Sequence, residues 1–376
     1  MGDCGLRIGI TGAFGMIGWH VRCSVLGREH CKAVPAGRNV FASAGTLAEF
    51  VSGCDAIVHM AGQNRGDDKE VYATNTGLAR AMVSACRATG SRPHVVFANS
   101  THVDRDTRYG ASKRDAAAMF REWSESDGGR FTDLVLPHVF GEHGRPFYNS
   151  VVHTFCYQIA GGDAPTIDHD GDLELLHAAS VSDLVHEVLA DSDDSPPTRQ
   201  LRPPGVQMKV SSLLERLQGF AAVYREQQLI PDLREPIDLA LFNTLRASLY
   251  PGDYPVELML HRDDRGSLFE AVKTWNGGQT FLSTTRPGIT RGNHFHFRKV
   301  ERFLVVRGEA VIRIRRLFDD TVREFPVSGE RPAYVDIPTL HTHNITNTGG
   351  GELLTLFWAN EIFDRSVPDT VGEDVG

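Results

Sequence analysis

The hydrophobic pattern changes its period part-way along the chain, and that change limits what the chain can fold into. Up to about residue 245, short apolar runs alternate with stretches of helical spacing. The runs are Leu6-Arg-Ile-Gly-Ile-Thr11, Lys32-Ala-Val-Pro-Ala36, Asp55-Ala-Ile-Val-His-Met-Ala61, His94-Val-Val-Phe-Ala98 and Leu134-Val-Leu-Pro137. Leu78, Met82, Val83 and Cys86 predict a helix over 75–89 that stops at Gly90. Strands separated by helices of this length build a parallel, doubly wound sheet. After the turn-rich Tyr250-Pro-Gly-Asp-Tyr-Pro255, only short alternating strands remain, beginning at Gln279, Phe303, Ala310, Ala333 and Leu353. That pattern predicts an antiparallel barrel or jelly roll. A chain of 376 residues is long for one core, so two domains are expected, 1–245 and 246–376. The tail after Arg365, with Pro368 and several acidic residues, reads as a loose, solvated end.

Charge and cysteine content remove several classes of function. A formal net charge of -9 and the lack of a Lys/Arg run argue against a nucleic-acid partner. No apolar stretch approaches the ~20 residues that span a bilayer. Gly5-Leu-Arg runs straight into the first strand, so no signal peptide is expected, and the chain reads as cytoplasmic. Cys4, Cys23, Cys31, Cys54, Cys86 and Cys156 are scattered without a C-x-x-C pair. They read as small buried hydrophobes, neither a disulfide framework nor a zinc ribbon.

Gly12, Gly15 and Gly18 follow the first strand and open a helix. In that context the first glycine permits the tight turn, the second lets backbone approach a pyrophosphate, and the third lets helix and strand pack closely. At the end of the second strand, where Asp or Glu would bond a free ribose 2′-hydroxyl, the chain has Arg38. A guanidinium there suits a 2′-phosphate, which favours NADPH, unless Arg38 is only a solvated loop residue. Tyr109 and Lys113 lie four apart on one helix face. An ammonium there would lower the phenol's pKa and let Tyr109 exchange a proton with an alcohol or ketone oxygen. Ser100, just after a strand, could bond the same oxygen.

Together the glycine turn, the strand ending Met60-Ala61-Gly62, Asn75, Ser100 and the Tyr109/Lys113 pair resemble the extended short-chain dehydrogenase/reductases that act on nucleotide sugars. The likeness covers roughly residues 6–240 and implies a Rossmann-type domain. It also implies cofactor contacts from Ala61, Gly62, Asn75 and Lys113, and catalysis by Ser100, Tyr109 and Lys113. On the substrate side the chain departs from the family. Where an Arg-x-x-Asn is common, Val135-Leu-Pro-His138 stands, which leaves His138 and Asn149 as candidate substrate contacts.

In the second half, His294 and His296 sit at i and i+2, so on a strand both enter one face. Glu301, Gly308 and His343 follow. With Gly288, this spacing matches the first motif of the cupin family, an all-β jelly-roll barrel. The second motif, Pro338 to Asn347, has Leu340 where that family usually has glycine. Three imidazoles and a carboxylate suit a divalent metal, zinc first, with iron, nickel or manganese as alternatives. The other reading is a metal-free cupin whose histidines pack or act as acid and base. Arg265, in Asp263-Asp264-Arg265-Gly266, resembles a stretch of cupin-fold sugar-nucleotide epimerases in which arginine approaches the phosphates. It could equally be an exposed turn.

Through Tyr148-Asn-Ser150, Thr154-Phe-Cys-Tyr157, Pro287-Gly-Ile-Thr290, Gly292-Asn-His294 and Val335-Asp-Ile-Pro338, the chain over its whole length resembles the bifunctional capsular-polysaccharide enzymes of the CapF type. That resemblance implies a UDP-sugar substrate and a homodimer. It also implies C3 epimerisation of a 4-keto sugar in the cupin, followed by NADPH-dependent reduction at C4, giving a UDP-2-acetamido-2,6-dideoxy-talose. If the three histidines are ligands, His341 and Asp336 remain as candidate epimerisation bases. An oxygenase-type cupin and a non-catalytic NADPH sensor are the alternatives, and an intact Tyr109/Lys113 pair argues against the sensor.

Overall fold

A computed structural model describes residues 5–191 and 196–376, and Cys4 lies outside them. Two compact units divide the chain. The first runs to Thr154 and takes in Ile167–Val210, and the second combines Phe155–Thr166 with Ser211–Gly376.

In the first unit, β1 (Leu6–Thr11), β2 (Cys31–Ala36), β3 (Ala56–His59), β4 (His94–Ser100) and β5 (Arg130–Leu136) form a parallel sheet with a sixth strand, Thr198–Leu201. The order is β2-β1-β3-β4-β5 and then Thr198–Leu201. The chain therefore leaves β1 in one direction and returns to its other side at β3. Ligands of such sheets bind at the carboxyl ends of the strands flanking that reversal. Pro35 is tolerated because β2 is an edge strand.

The helices are α1 (Met16–Leu26), α2 (Ala44–Ser52), α3 (Asp68–Thr89) and α4 (Arg108–Asp127), with a further helix Ala178–Ala190. α3 begins seven residues before the hydrophobic pattern does. Asp67 caps its backbone N–H groups at Lys69 and Glu70, and Asp68 and Glu70 suit its N-terminal dipole. Gly90, in the left-handed region, ends it as expected. Ile8, Ile10, Val58, Val96 and Leu134 pack one face of the sheet, and Ile57, Val95, Phe97 and Phe131 the other.

The second unit contains two five-stranded antiparallel sheets. One runs in the order Val256–Glu257, Ala333–Ile337, Glu301–Arg307, Leu353–Ala359, Gln279–Thr285. The other runs Val322–Ser328, Glu309–Arg316, His341–Asn347, Thr290–Phe295, Val371–Gly372. Phe303, Val335 and Phe357 of the first share a core with Ile312, Ile314 and Ile345 of the second. Each such buried side chain contributes about 1.5–3 kcal/mol.

The change of hydrophobic period near residue 245 marks where strands take over, but packing changes sides earlier. Helices Val210–Ala221 and Pro236–Leu249 lie almost wholly within the second unit. Polar anchors hold them there. Arg246 donates to the Ile337 carbonyl at 2.5 Å and Asn243 to that of Arg298 at 2.9 Å. Tyr224 donates to Asp336 at 2.6 Å. The tail is not loose either. Val375 is fully buried, Arg315 donates to its carbonyl at 2.8 Å, and Val371–Gly372 pairs with the strand carrying His294. Its anchors are single contacts without periodicity, so the sequence pattern does not reveal them.

Among the described residues, no helix is long and apolar enough to cross a membrane. Cys23, Cys54, Cys86 and Cys156 are buried and Cys31 is partly so, all as free thiols. Burial pushes the Cys54 and Cys86 thiols up to about 11 and about 12, so neither is poised as a nucleophile.

Asp336 is fully buried and accepts both Nε of Arg302 at 2.7 Å and a second guanidinium nitrogen at 2.9 Å. The guanidinium stacks 3.4 Å from the Tyr334 ring centroid. Removing the carboxylate would leave a buried, unpaired cation. Asp336→Ala should therefore destabilise the second unit by about 3–5 kcal/mol, with Asp336→Asn less harmful because it keeps one acceptor. Urea unfolding of the full chain measures both.

Candidate active sites

The carboxyl ends of β1, β3 and β4 bring the first set of residues together. Thr11 closes β1; its hydroxyl lies 2.7 Å from His59 Nδ1 and accepts from the Ala61 N–H at 3.3 Å. Burial pushes His59 down to about 3, so this ring stays neutral. The turn that follows needs glycine at position 12 for its left-handed φ of 67° and at position 18 for close contact. A Cβ on Gly18 would lie 2.3 Å from the Gly12 carbonyl oxygen. At Gly15, by contrast, a Cβ would meet only that oxygen, at 3.4 Å. Gly15 is also the N-cap of α1, where no side chain caps the helix and no acidic residue occupies the first turn. An open helix N-terminus with free N–H groups fits a dinucleotide's pyrophosphate. Arg38 is exposed just beyond Ala36, which pairs with Thr11.

Asn75 braces this edge. Its Nδ2 donates to the Gln63 carbonyl at 2.8 Å and to Ser112 Oγ at 3.0 Å, and its Oδ1 accepts from the Gln63 N–H at 2.8 Å. Its amide is thus committed within the protein and sets the position of the Ala61-Gly62 backbone. Gly62 in turn leaves room for Asn75, whose Oδ1 would lie 3.0 Å from a Cβ there.

Thr107 caps α4 through the Gly110 N–H, which puts Tyr109 in the first turn and Lys113 one turn on. Gly110 lets this turn approach the backbone after β4, since a Cβ would lie 2.2 Å from the His102 carbonyl oxygen. Tyr109 is thereby brought beside Ser100, whose hydroxyl acts on the phenol. The lowered phenol pKa expected from Lys113 is not what the structure gives. Burial raises the Tyr109 pKa, with the Ser100 hydroxyl partly opposing, while Lys113 Nζ lies 6.0 Å from the phenol ring centroid and donates to the Ala98 carbonyl at 2.7 Å. A protonated phenol beside Ser100 is equipped to give a proton.

On the substrate side, His138 Nε2 lies 3.1 Å from Ser150 Oγ, and burial pushes the ring down to about 4. Asn149 is exposed on the same loop. Arg65, absent from the sequence reading, donates to the Phe147 and Tyr148 carbonyls at 2.8 and 2.7 Å and fixes that loop. A loop arginine bonding distant carbonyls leaves no local pattern to find.

In the second unit, donor atoms of His294, His296, Glu301 and His343 all lie within 4.8 Å of one another. They line the inner end of a cavity of about 550 Å³, except for His343, which packs behind them. Glu301 Oε2 sits 3.0 Å from His296 Nε2 and 3.3 Å from His343 Nε2. The opposite ring nitrogens face acceptors as well. His296 Nδ1 lies 2.5 Å from the Asp369 carbonyl oxygen, and His343 Nδ1 lies 3.2 Å from that of His341. A neutral imidazole whose Nδ1–H bonds a carbonyl presents a bare Nε2 lone pair. Two such lone pairs then point at a carboxylate, and a cation resolves that repulsion. The donor set therefore fits a divalent metal. Burial lowers His294 to about 3, helped by His343 and His296.

A bulge corrects the simple strand alternation. Register shifts between Gly292 and His294, with Asn293 at φ 62°, so Arg291 rather than Thr290 joins His294 at the cavity. Lys299 also lines it, donating to the Pro368 carbonyl at 3.1 Å. Leu340 holds the left-handed conformation, φ 60°, that a glycine would adopt freely, and its N–H bonds the His296 carbonyl at 2.8 Å.

Three residues expected at the second site are not in the cavity. Asp336 is locked to Arg302 and Tyr224. His341 is buried, with Nδ1 2.8 Å from the Thr339 carbonyl oxygen and its ring against Tyr250. Arg265 lies on an exposed hairpin with its guanidinium folded onto Asp263. Side-chain alternation does not say which face of a strand opens on a cavity, so the sequence alone cannot separate these residues from cavity-lining ones.

A parallel nucleotide-binding sheet carrying a Ser/Tyr/Lys set, and a β domain with a histidine-rich cavity, define the class of two-domain enzymes to which the comparisons lead. The chain belongs to the NAD dependent epimerase/dehydratase family, whose model matches residues 8–201, and residues 261–371 match the polysaccharide biosynthesis C-terminal domain. Over its length it is CapF-like: it is 29% identical to the crystal structure of the capsular polysaccharide assembling protein CapF from Staphylococcus aureus, covering 98% of this chain and 100% of that one, with a TM-score of 0.61. It is 31% identical over 373 residues, 99% of both chains, to the UDP-2-acetamido-2,6-beta-L-arabino-hexul-4-ose reductase of Pseudomonas aeruginosa. A UDP-N-acetylglucosamine 4-epimerase from Bacillus cereus shares the fold over 58% of this chain and 82% of its own, at 18% identity and a TM-score of 0.52.

Burial lowers Lys113 from 10.5 to about 8, with Asp133 partly opposing. Between those pH values the unfolded chain holds a proton that the folded chain has released, so this residue's contribution to stability rises with pH. Wild type should gain stability relative to Lys113→Met as pH goes from 8 to 10.5, read from denaturant midpoints. A difference that is flat or falls with pH would contradict the assignment.

Proposed function

We propose that this chain epimerises C3 of a UDP-4-keto-6-deoxy-N-acetylhexosamine in its β domain. It then reduces C4 with NADPH in its α/β domain. The observation that supports this most is that a Ser/Tyr/Lys set and an N₃O donor cluster occur in one chain matched end to end by a reductase named for a 4-keto UDP-sugar.

Chemistry links the steps. A ketone at C4 acidifies the C3 proton, so epimerisation proceeds through an enolate, and reduction uses the same carbonyl. The cavity of about 550 Å³ is of ligand size. Within it, Arg291 and Lys299 bring positive charge towards the developing oxyanion. His294, His296, Glu301 and His343 would hold a divalent ion, zinc by donor preference. When bound, that ion orders the cavity and polarises an oxygen near it. Four protein donors would leave such an ion fewer open positions than an oxygenase usually keeps.

At the other site the reduced nicotinamide, when bound, supplies hydride to C4. Ser100 would hold the C4 oxygen and Tyr109 would give it a proton. Burial keeps the phenol protonated until that moment, and the Lys113 ammonium offsets the phenolate that remains. Gly12, Gly15 and Gly18 would seat the pyrophosphate and Arg38 the 2′-phosphate. His138 and Asn149 face the sugar side.

Arg38→Ala should raise KM for NADPH at least about tenfold while leaving KM for NADH nearly unchanged, since a 2′-phosphate contact is charge-assisted. Equal changes for the two cofactors would remove the 2′-phosphate assignment. The main test offers the 4-keto substrate with NADPH in deuterated water and reads products by NMR. Tyr109→Phe should abolish NADPH oxidation yet keep deuterium entry at C3, whereas His294→Ala should lose the exchange. Loss of exchange in Tyr109→Phe would sink the division of labour.

A further inference from the structure

We propose that the C-terminal strap, residues 368–376, is a positioning element for the metal site, keyed by Asp369. This rests on the metal reading above.

The strap reaches the site at its least replaceable point. The Asp369 carbonyl oxygen lies 2.5 Å from His296 Nδ1. A backbone carbonyl only accepts, so the proton sits on Nδ1 and the Nε2 lone pair is turned to the donor cluster. The carbonyl is held by its own side chain. Asp369 Oδ1 accepts from the Phe297 N–H at 2.9 Å, and Oδ2 accepts from Arg298 and Lys299 at 3.1 and 2.9 Å. Three successive N–H groups just past His296 thus clamp one carboxylate. Asp369 adopts φ 43°, a left-handed conformation that a non-glycine residue keeps only when its surroundings impose it.

Beyond Asp369 the strap is fastened repeatedly. Gly372 and Val371 pair with His294 and Phe295, Thr342 donates to the Glu373 carbonyl, and Arg315 donates to the Val375 carbonyl and to Glu373. The fastenings flank His294, His296 and His343 in turn. Thr370 lines the cavity, so the same segment forms part of its wall. The chain's last residues therefore set the tautomer and aim of one ligand and brace the strands that carry the other two.

Zinc affinity of the full chain, by competition with a chromogenic chelator, tests this, with NADPH affinity as the control for folding. Asp369→Gly keeps the φ angle and removes the clamp; it should weaken zinc by about 10–100-fold, the usual effect of losing a partner that orients a ligand histidine. Asp369→Asn keeps a carbonyl oxygen in the same conformation and should fall between that variant and wild type. NADPH affinity should stay unchanged in both. Histidine ¹⁵N spectra give a second readout, in which wild type shows His296 as the Nδ1–H tautomer and Asp369→Gly loses that preference. Zinc affinity and tautomer unchanged in both variants would overturn the strap's role. Wild type that binds no zinc would overturn the metal reading itself, and the inference with it.

Discussion

Everything at the second site depends on a carboxylate that faces two imidazole nitrogens whose opposite nitrogens are already taken. His296 and His343 are each turned towards Glu301 by a backbone carbonyl, one from Asp369 and one from His341. Those carbonyls decide the tautomers, the tautomers decide where lone pairs point, and the four side chains together form a donor set that a cation fits. The barrel's two sheets serve that arrangement. Glu301 comes from one sheet, and His294 and His343 come from adjacent strands of the other.

The first unit works by a different principle, close backbone approach. Gly18 against Gly12, and Gly110 against His102, bring a helix N-terminus and a tyrosine to the edge where β1, β3 and β4 end. Polar side chains with no chemistry of their own hold these approaches in place. Thr11 and His59 tie two strand ends, and Asn75 ties the loop after β3 to α4. The result is a phenol kept protonated by burial and an ammonium kept close to losing its proton, which is a usable pair for moving protons near neutral pH.

Much of this is legible in the residues alone. The glycine turn, Ser100, Tyr109 and Lys113 come together within the first unit, and the four metal-ligand candidates within the second, because each rests on a short-range rule: strand parity, helix spacing or a turn that only glycine fits. What escapes is whatever depends on which face of a strand opens on a cavity or on contacts across long separations. Asp336 and His341 have the chemistry of a base but face away from the cavity, and Arg265 folds onto its own turn. Arg291 enters the cavity through a bulge that shifts parity by one residue.

By itself the sequence determined the class of each half. Hydrophobic periodicity separates a parallel sheet from antiparallel ones, and glycine and histidine spacings mark what each half can hold, since these are properties of a few neighbouring residues. Only the tertiary structure decided where the first unit stops and how the site is held. The helices after residue 210 join the second unit through Tyr224, Asn243 and Arg246, and a tail that reads as solvated becomes the strap beside His296. The physical reason is the same in both cases. A buried polar group is stable only when its partner arrives, and that partner lies dozens of residues away, where no local pattern reaches.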